Sequence, residues 1–308
     1  MTPATPPAPA TGLVIGGERV LVPGLVIQNW FDDPTFRLRM PGTGKPADAT
    51  PRRGKPRGIA MHSTHGTPGG HDQRPQRVRP GMGPAGGAAE ANVHYWYGAD
   101  GQAATQLIVD FDGQVICTAD LLLTCAFHIG GPNDTTNHHT IGIELVQGLS
   151  GSPHVDENGH STGPMTENDY AYFYADQIKT AVRLVDAIRQ HREMLIQAMI
   201  QSPYHGNAHP VKRLQTETDW SGVILHRDQT SGRGPGDAGD CVLQAFLDAE
   251  YEPVDFAART DVALWQPRQA ALNALGETLK VDGNPGPATA AAIEKRHGKP
   301  HGMWVPRP

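Results

Sequence analysis

Long apolar runs are missing from this sequence. No stretch approaches the roughly 18 residues a membrane-spanning helix needs, so no insertion into a bilayer is expected. Cysteine is scarce. Cys117, Cys125 and Cys241 form an odd, sparse set that does not read as a disulfide framework, and at least two of them are expected to be small buried residues. Positive charge is in deficit, with 26 Lys and Arg against 32 Asp and Glu, and neither sign gathers into a long run. A nucleic-acid partner is therefore not expected. Residues 1–12 are rich in Pro, Ala and Thr and lack a basic segment followed by an apolar one, so no secretory leader is read there and synthesis in the cytoplasm is expected.

What the chain has instead is Gly and Pro, 36 and 27 of its 308 residues, which points to long loops around a compact sheet. The length leaves room for one large domain and a small one. Apolar residues, only 38% of the chain, must be concentrated in a few elements. Residues 1–12 read as disordered. The rest of 1–57, with short apolar pieces at Leu13–Ile15 and Val20–Ile27, reads as an arm on the domain edge. GIAMHST (58–64) reads as a strand, with Ile59 and Met61 on one face and Ala60 and His62 on the other. Val93–Tyr97 and Thr105–Val109, separated by Asp100-Gly101, read as a hairpin. TIGIELV (140–146) is a further strand, with Gly142 and Glu144 sharing a face. The longest helical pattern runs from Thr166, in a capping box with Asp169, to about Gln201, its apolar stripe passing through Ile178, Val182, Val185 and Ile188. Gly222–Leu225 is a last strand, followed by a loop over 228–240 and a short helix from about Val242 to Ala249. Residues 251–261 read as a linker to an Ala-rich helical module at 262–300. Strands alternating with helices predict an α/β domain, a mixed central sheet flanked by helices, over 58–250.

A catalytic metal ion needs about three protein ligands and an open position. His62 ends one strand and His226 follows another, and the loop beyond His226 carries Asp237, Asp240 and Cys241. Strand ends hold ligands rigidly while leaving a cleft open. A lone His at a strand end is more often a packed or solvated group, and fifteen histidines make chance placements common. Most of the others, His138 and His139 among them, read as solvated.

Five stretches, IAMHST (59–64), NVHYWYGADG (92–101), AFHIGG (126–131), TIGIELV (140–146) and HRDQTSGRGPGDAG (226–239), resemble in order the type-2 N-acetylmuramoyl-L-alanine amidases. That group includes phage lysozyme-type amidases and peptidoglycan recognition proteins. The resemblance implies a zinc amidase acting on the bond between N-acetylmuramic acid and L-alanine in peptidoglycan. His62 and His226 would be zinc ligands, with Asp237 as the third and Cys241 as the alternative. It implies Glu144 as general base, against a structural salt bridge. His128 would bind substrate, support an oxyanion or stand behind the ligands, and Arg233 would take the place of a Lys whose position holds Gly234. A Tyr found in some relatives just before the position of His94 is Val93 here. Residues 262–300 are similar to a three-helix peptidoglycan-binding domain, in Leu264-Trp265-Gln266, Ala271-Leu272-Asn273, Leu275-Gly276 and Val281-Asp282-Gly283 through Gly286-Pro287-Ala288-Thr289. Catalytic and wall-binding modules together imply a phage endolysin that reaches the wall after release. The alternatives are a non-catalytic recognition protein and a muropeptide-recycling amidase.

Overall fold

A computed structural model describes residues 11–30, 51–64, 76–97, 104–129, 136–150, 170–201, 221–229, 237–254 and 262–281, with a few positions between 288 and 295. The fold is built on a mixed sheet with the strand order β13-β11-β12-β4-β8-β6-β7-β3. In chain order these strands are β3 (Ile27–Asn29), β4 (Gly58–Ser63), β6 (Leu107–Val109), β7 (Val115–Cys117), β8 (Thr140–Leu145), β11 (Met199–Gln201), β12 (Gly222–Leu225) and β13 (Glu252–Val254). All neighbours are parallel except β6 and β7.

The alternation expected for β4 and β8 is present. Ile59, Met61, Ile141, Ile143 and Leu145 enter the main core. There they meet helix α3 (Ala175–Gln190) through Ile178, Val182, Val185 and Ile188, and α5 (Asp240–Asp248) through Val242, Leu243 and Phe246. Each such side chain contributes on the order of 1.5–3 kcal/mol by leaving water. The opposite face carries Ala60, His62, Gly142 and Glu144, and toward β6 and β7 it is covered by helix α1 (Ala88–Tyr97).

Three elements differ from the expectation. Val93–Tyr97 is helical, as the end of α1. Its aromatic residues favour a strand locally, but helical spacing lets Ala89, Val93 and Trp96 pack together on Ile108 and Ile116 while Tyr95 stays 66% exposed. The long helix runs only from Ala175 to Gln190, and Met199–Gln201, expected at its end, is the strand β11. Tyr170–Tyr174 before it is a strand, β10, because Ala171 and Phe173 are buried and the tyrosines between them are not, a period of two. Gln177 Oε1 accepts the Tyr174 N–H at 3.2 Å and so marks the helix start, whereas Thr166 and Asp169 lie outside the described residues. β10 forms a second sheet with β5 (Gln76–Arg79) and β9 (Gly148–Ser150). The segment read as a linker opens with β13, an edge strand beside β11, where Pro253 is tolerated.

The arm is tied in at the other edge. β3 pairs with β7, and the hairpin β1 (Leu13–Ile15) and β2 (Glu18–Val20) buries Leu13 and Ile15 in the main core. Asp120 accepts the Gly16 and Gly17 N–H groups at 3.0 and 2.7 Å in the turn of that hairpin. Cys117 and Cys125 are buried and unpaired with other cysteines. No described helix is long and apolar enough to cross a membrane. At the C-terminus, helix α6 (Val262–Ala274) ends at Gly276, whose φ is +97°. Gln269 there donates to Thr289 at 3.3 Å, and Asn273 exchanges two hydrogen bonds with Leu279.

Arg52 is buried beneath the start of β8. Its guanidinium donates to the carbonyls of Asn137, His138 and Thr140 at 3.1, 3.0 and 2.9 Å, and to that of Thr124 at 3.0 Å. These include the last carbonyls of the short helix α2 (Thr136–His139), where a cation is favoured. Burial lowers the Arg52 pKa to about 10. Arg52→Met keeps the aliphatic stem and strands these acceptors. We expect a loss of about 3 kcal/mol or more in denaturant unfolding, and a loss below about 1 kcal/mol would show that the clamp does not hold the fold.

Candidate metal centre and cleft

The centre is assembled by strand register. β12, β4 and β8 are adjacent and parallel, so their carboxyl ends lie along one edge, the usual place for a site in such sheets. Leu225 aligns with Met61, and His62 aligns with Glu144. His226 follows Leu225 directly, so it, His62 and Glu144 stand in a row across three strands. His226 also opens a short helical turn, α4 (His226–Gln229).

The Nδ1 atoms of His62 and His226 face each other at 2.8 Å, with ring centroids 4.2 Å apart. Asp237 returns from the far end of the intervening loop. Its Oδ2 lies 2.9 Å from His226 Nδ1, and its Oδ1 accepts the Ser63 N–H at 3.0 Å, which fixes the carboxylate plane. The Arg227 N–H donates to the Asp237 carbonyl. One ligand atom from each of His62, His226 and Asp237 falls within 4.8 Å of the others, and all three residues are buried. Among the described residues, His226 Nε2 is buried without a hydrogen-bond partner. Two imidazoles and one carboxylate form a donor set suited to a tetrahedral divalent ion with one position open.

His128 lies behind His62. Its Nδ1 is 3.0 Å from His62 Nε2 and its Nε2 is 3.1 Å from Thr140 Oγ1. Gly142 makes the space for it, since a Cβ there would sit 2.6 Å from His128 Cγ. Asn137 Oδ1 accepts the N–H groups of His128 and Ile129 at 3.1 and 2.9 Å, holding the loop. Burial, with His226 and Arg52 nearby, lowers the His128 pKa to about 3.

A cleft of about 150 Å³ opens over the row, lined by His62, His128, Glu144, His226 and Asp237 together with Ser63, Thr64, Trp96, Ala104 and Thr105. The structure thus brings together five of the residues singled out in the sequence. Cys241 is not in the cluster. Its Sγ lies 3.3 Å from Gln76 Oε1, and burial raises its pKa to about 11, away from the thiolate a metal requires. Asp240 is likewise elsewhere, paired with Arg227 at 2.6 Å. Arg233 and Gly234 lie outside the described residues. His94 is exposed, edge-on to Trp30 at 5.7 Å. Trp96 and Thr140 escaped the sequence reading: Trp96 behind the strand assignment, Thr140 because its side chain acquires a role only through His128. His138, read as solvated, is buried, and its Nδ1 accepts the Arg53 N–H at 3.3 Å.

Partial burial, with Arg57 nearby, also lowers the pKa of His139, to about 4. Both His128 and His139 are therefore neutral in the fold at pH values where the unfolded chain, titrating near 6.5, binds protons. Their contribution is present above about pH 6.5 and is lost as pH falls toward 4 and 3. Denaturant midpoints of chelator-treated protein should fall between pH 7 and pH 4.5; an unchanged midpoint would contradict the neutral state of these rings.

Comparison with known proteins gives a family for the chain. The family described as N-acetylmuramoyl-L-alanine amidase matches residues 52–228. No curated protein matches the chain. Among solved structures, the chain is similar to a mutant endolysin from Bacillus subtilis at 19% identity and a TM-score of 0.25, covering 40% of this chain and 61% of that one. It is also similar to the endolysin N-acetylmuramoyl-L-alanine amidase LysCS from Clostridium intestinale URNW at 13% identity and a TM-score of 0.31, covering 65% of this chain and 86% of that one. At those scores the family match carries the assignment: spanning more than half of the sequence, and including His62, His128, Glu144 and His226, it makes this chain a member of the N-acetylmuramoyl-L-alanine amidase family.

Proposed function

We propose that this amidase hydrolyses the bond between N-acetylmuramic acid and L-alanine in peptidoglycan with a zinc ion held by His62, His226 and Asp237. The observation that carries the reading is the convergence of these three side chains beside Glu144 in one open cleft. When bound, zinc supplies a Lewis acid that lowers the pKa of water and polarises a carbonyl. Glu144 is half-buried on the strand next to His62 and faces the cleft. Its carboxylate takes the proton of the attacking water and returns it to the leaving L-alanine amine. Ser63 orients Asp237, and Trp96 walls the cleft. Both ring nitrogens of His128 are engaged, with His62 and Thr140, which supports a place behind the ligands over direct contact with substrate. A role for Arg233 at the oxyanion rests on the family resemblance alone. Residues 262–300 serve as a wall-binding module that raises local substrate concentration. The Gln269–Thr289 contact and the helix end at Gly276 fit a small helical bundle there. The pairing of modules supports a phage endolysin.

Purified protein should carry zinc and clear suspensions of cell walls, and a chelator should stop the clearing. Protein that binds walls without metal and never clears them would make it a recognition protein. Asp237→Ala should lose the zinc and Cys241→Ala should keep it; the reverse would move the third ligand to the thiol. Glu144→Gln should retain zinc while turnover falls by about 10²–10⁴-fold, and a variant of near-normal turnover would remove Glu144 from the proton transfer.

A further inference from the structure

Hydrogen-bond direction behind the centre determines which nitrogen of His62 carries the proton. The Thr136 carbonyl can only accept, and Thr140 Oγ1 stands 2.8 Å from it, so the single hydroxyl proton of Thr140 is spent there. Thr140 Oγ1 therefore meets His128 Nε2, 3.1 Å away, with a lone pair, and His128 must carry its proton on Nε2. A neutral imidazole has one N–H, which leaves His128 Nδ1 as an acceptor toward His62 Nε2 at 3.0 Å. His62 is then protonated on Nε2, and its Nδ1 offers a bare lone pair toward His226 and Asp237. We propose that Thr140 and His128 are positioning residues that set His62 in the tautomer able to ligate a metal.

The relay is held at several points. Arg52 Nη1 donates to the Thr140 carbonyl at 2.9 Å, Asn137 anchors the His128 backbone, and the bare Gly142 lets the His128 ring lie against β8. Metal-bound histidines commonly donate their second N–H to a carboxylate, a carbonyl or water. Here another imidazole takes that part, and an imidazole can either donate or accept. Without Thr140 to decide, His128 could turn its proton toward His62 and force a proton onto the ligating Nδ1. The inference concerns where one proton sits at constant charge. It rests on the assignment of His62 as a ligand only for its consequence, metal affinity.

The test is 15N-detected tautomer analysis of histidine-labelled, metal-free full-length protein, with the His62 signals assigned by their loss in His62→Asn. The wild type should show His62 protonated on Nε2. Thr140→Val should convert that signal to a mixture and weaken zinc binding, measured by chelator competition, by about 10–100-fold, while Thr140→Ser restores both. His62 protonated on Nδ1 in the wild type would overturn the relay. So would a folded Thr140→Val variant with an unchanged tautomer and unchanged zinc affinity. If the wild type shows the Nε2 tautomer, lost in Thr140→Val, yet takes up no zinc, the relay stands and the zinc reading falls.

Discussion

Three adjacent parallel strands ending at one edge are the constraint on which the rest depends. A parallel pair in register places side chains of matching position next to each other on the same face. β12, β4 and β8 thereby put His226, His62 and Glu144 in a row, though these residues lie more than 80 positions apart at each step. The strands are short and buried on both faces, which gives the row its rigidity. α3 and α5 pack on the far side, and on the near side the cleft is bounded by Trp96 from α1 and by Thr105.

That rigidity comes with a cost in buried polar groups, and the structure meets it with side chains devoted to backbone. Arg52 gathers four carbonyls beneath the start of β8. Asn137 secures the loop of His128. Gln177 donates to the carbonyls of Val109 and Val146 at 3.1 and 2.7 Å where the helix meets the sheet. Unmade hydrogen bonds at such depth cost on the order of 1–3 kcal/mol each, so these contacts tie the geometry of the centre to the stability of the fold. His128 belongs to the same group, as a buried neutral ring whose partners are His62 on one side and the Thr140 hydroxyl on the other.

The family to which the chain belongs gives this arrangement its chemical sense. An amide is cleaved by water only when the water is activated, the carbonyl is polarised and the leaving amine is protonated. In the function proposed above, those needs fall to His62, His226, Asp237 and Glu144, which line a cleft of about 150 Å³.

Periodicity in the sequence determined β4, β8, β12 and the buried stripe of α3, because in each the core face repeats with the period of the element itself. The resemblance to a known family named His62, His226, Asp237 and Glu144. Where local preference and packing disagreed, only the tertiary structure decided. The aromatic run 93–97 became a helix because Val93 and Trp96 pack together on the sheet, and Glu252–Val254 became a strand because an edge was there to be extended. That Asp237 and not Cys241 lies beside the two histidines was likewise tertiary: Ser63 orients the carboxylate, while the thiol turns toward Gln76. The part of Thr140 was invisible in one dimension, since the direction of a hydrogen bond exists only once its donor and acceptor have been brought face to face.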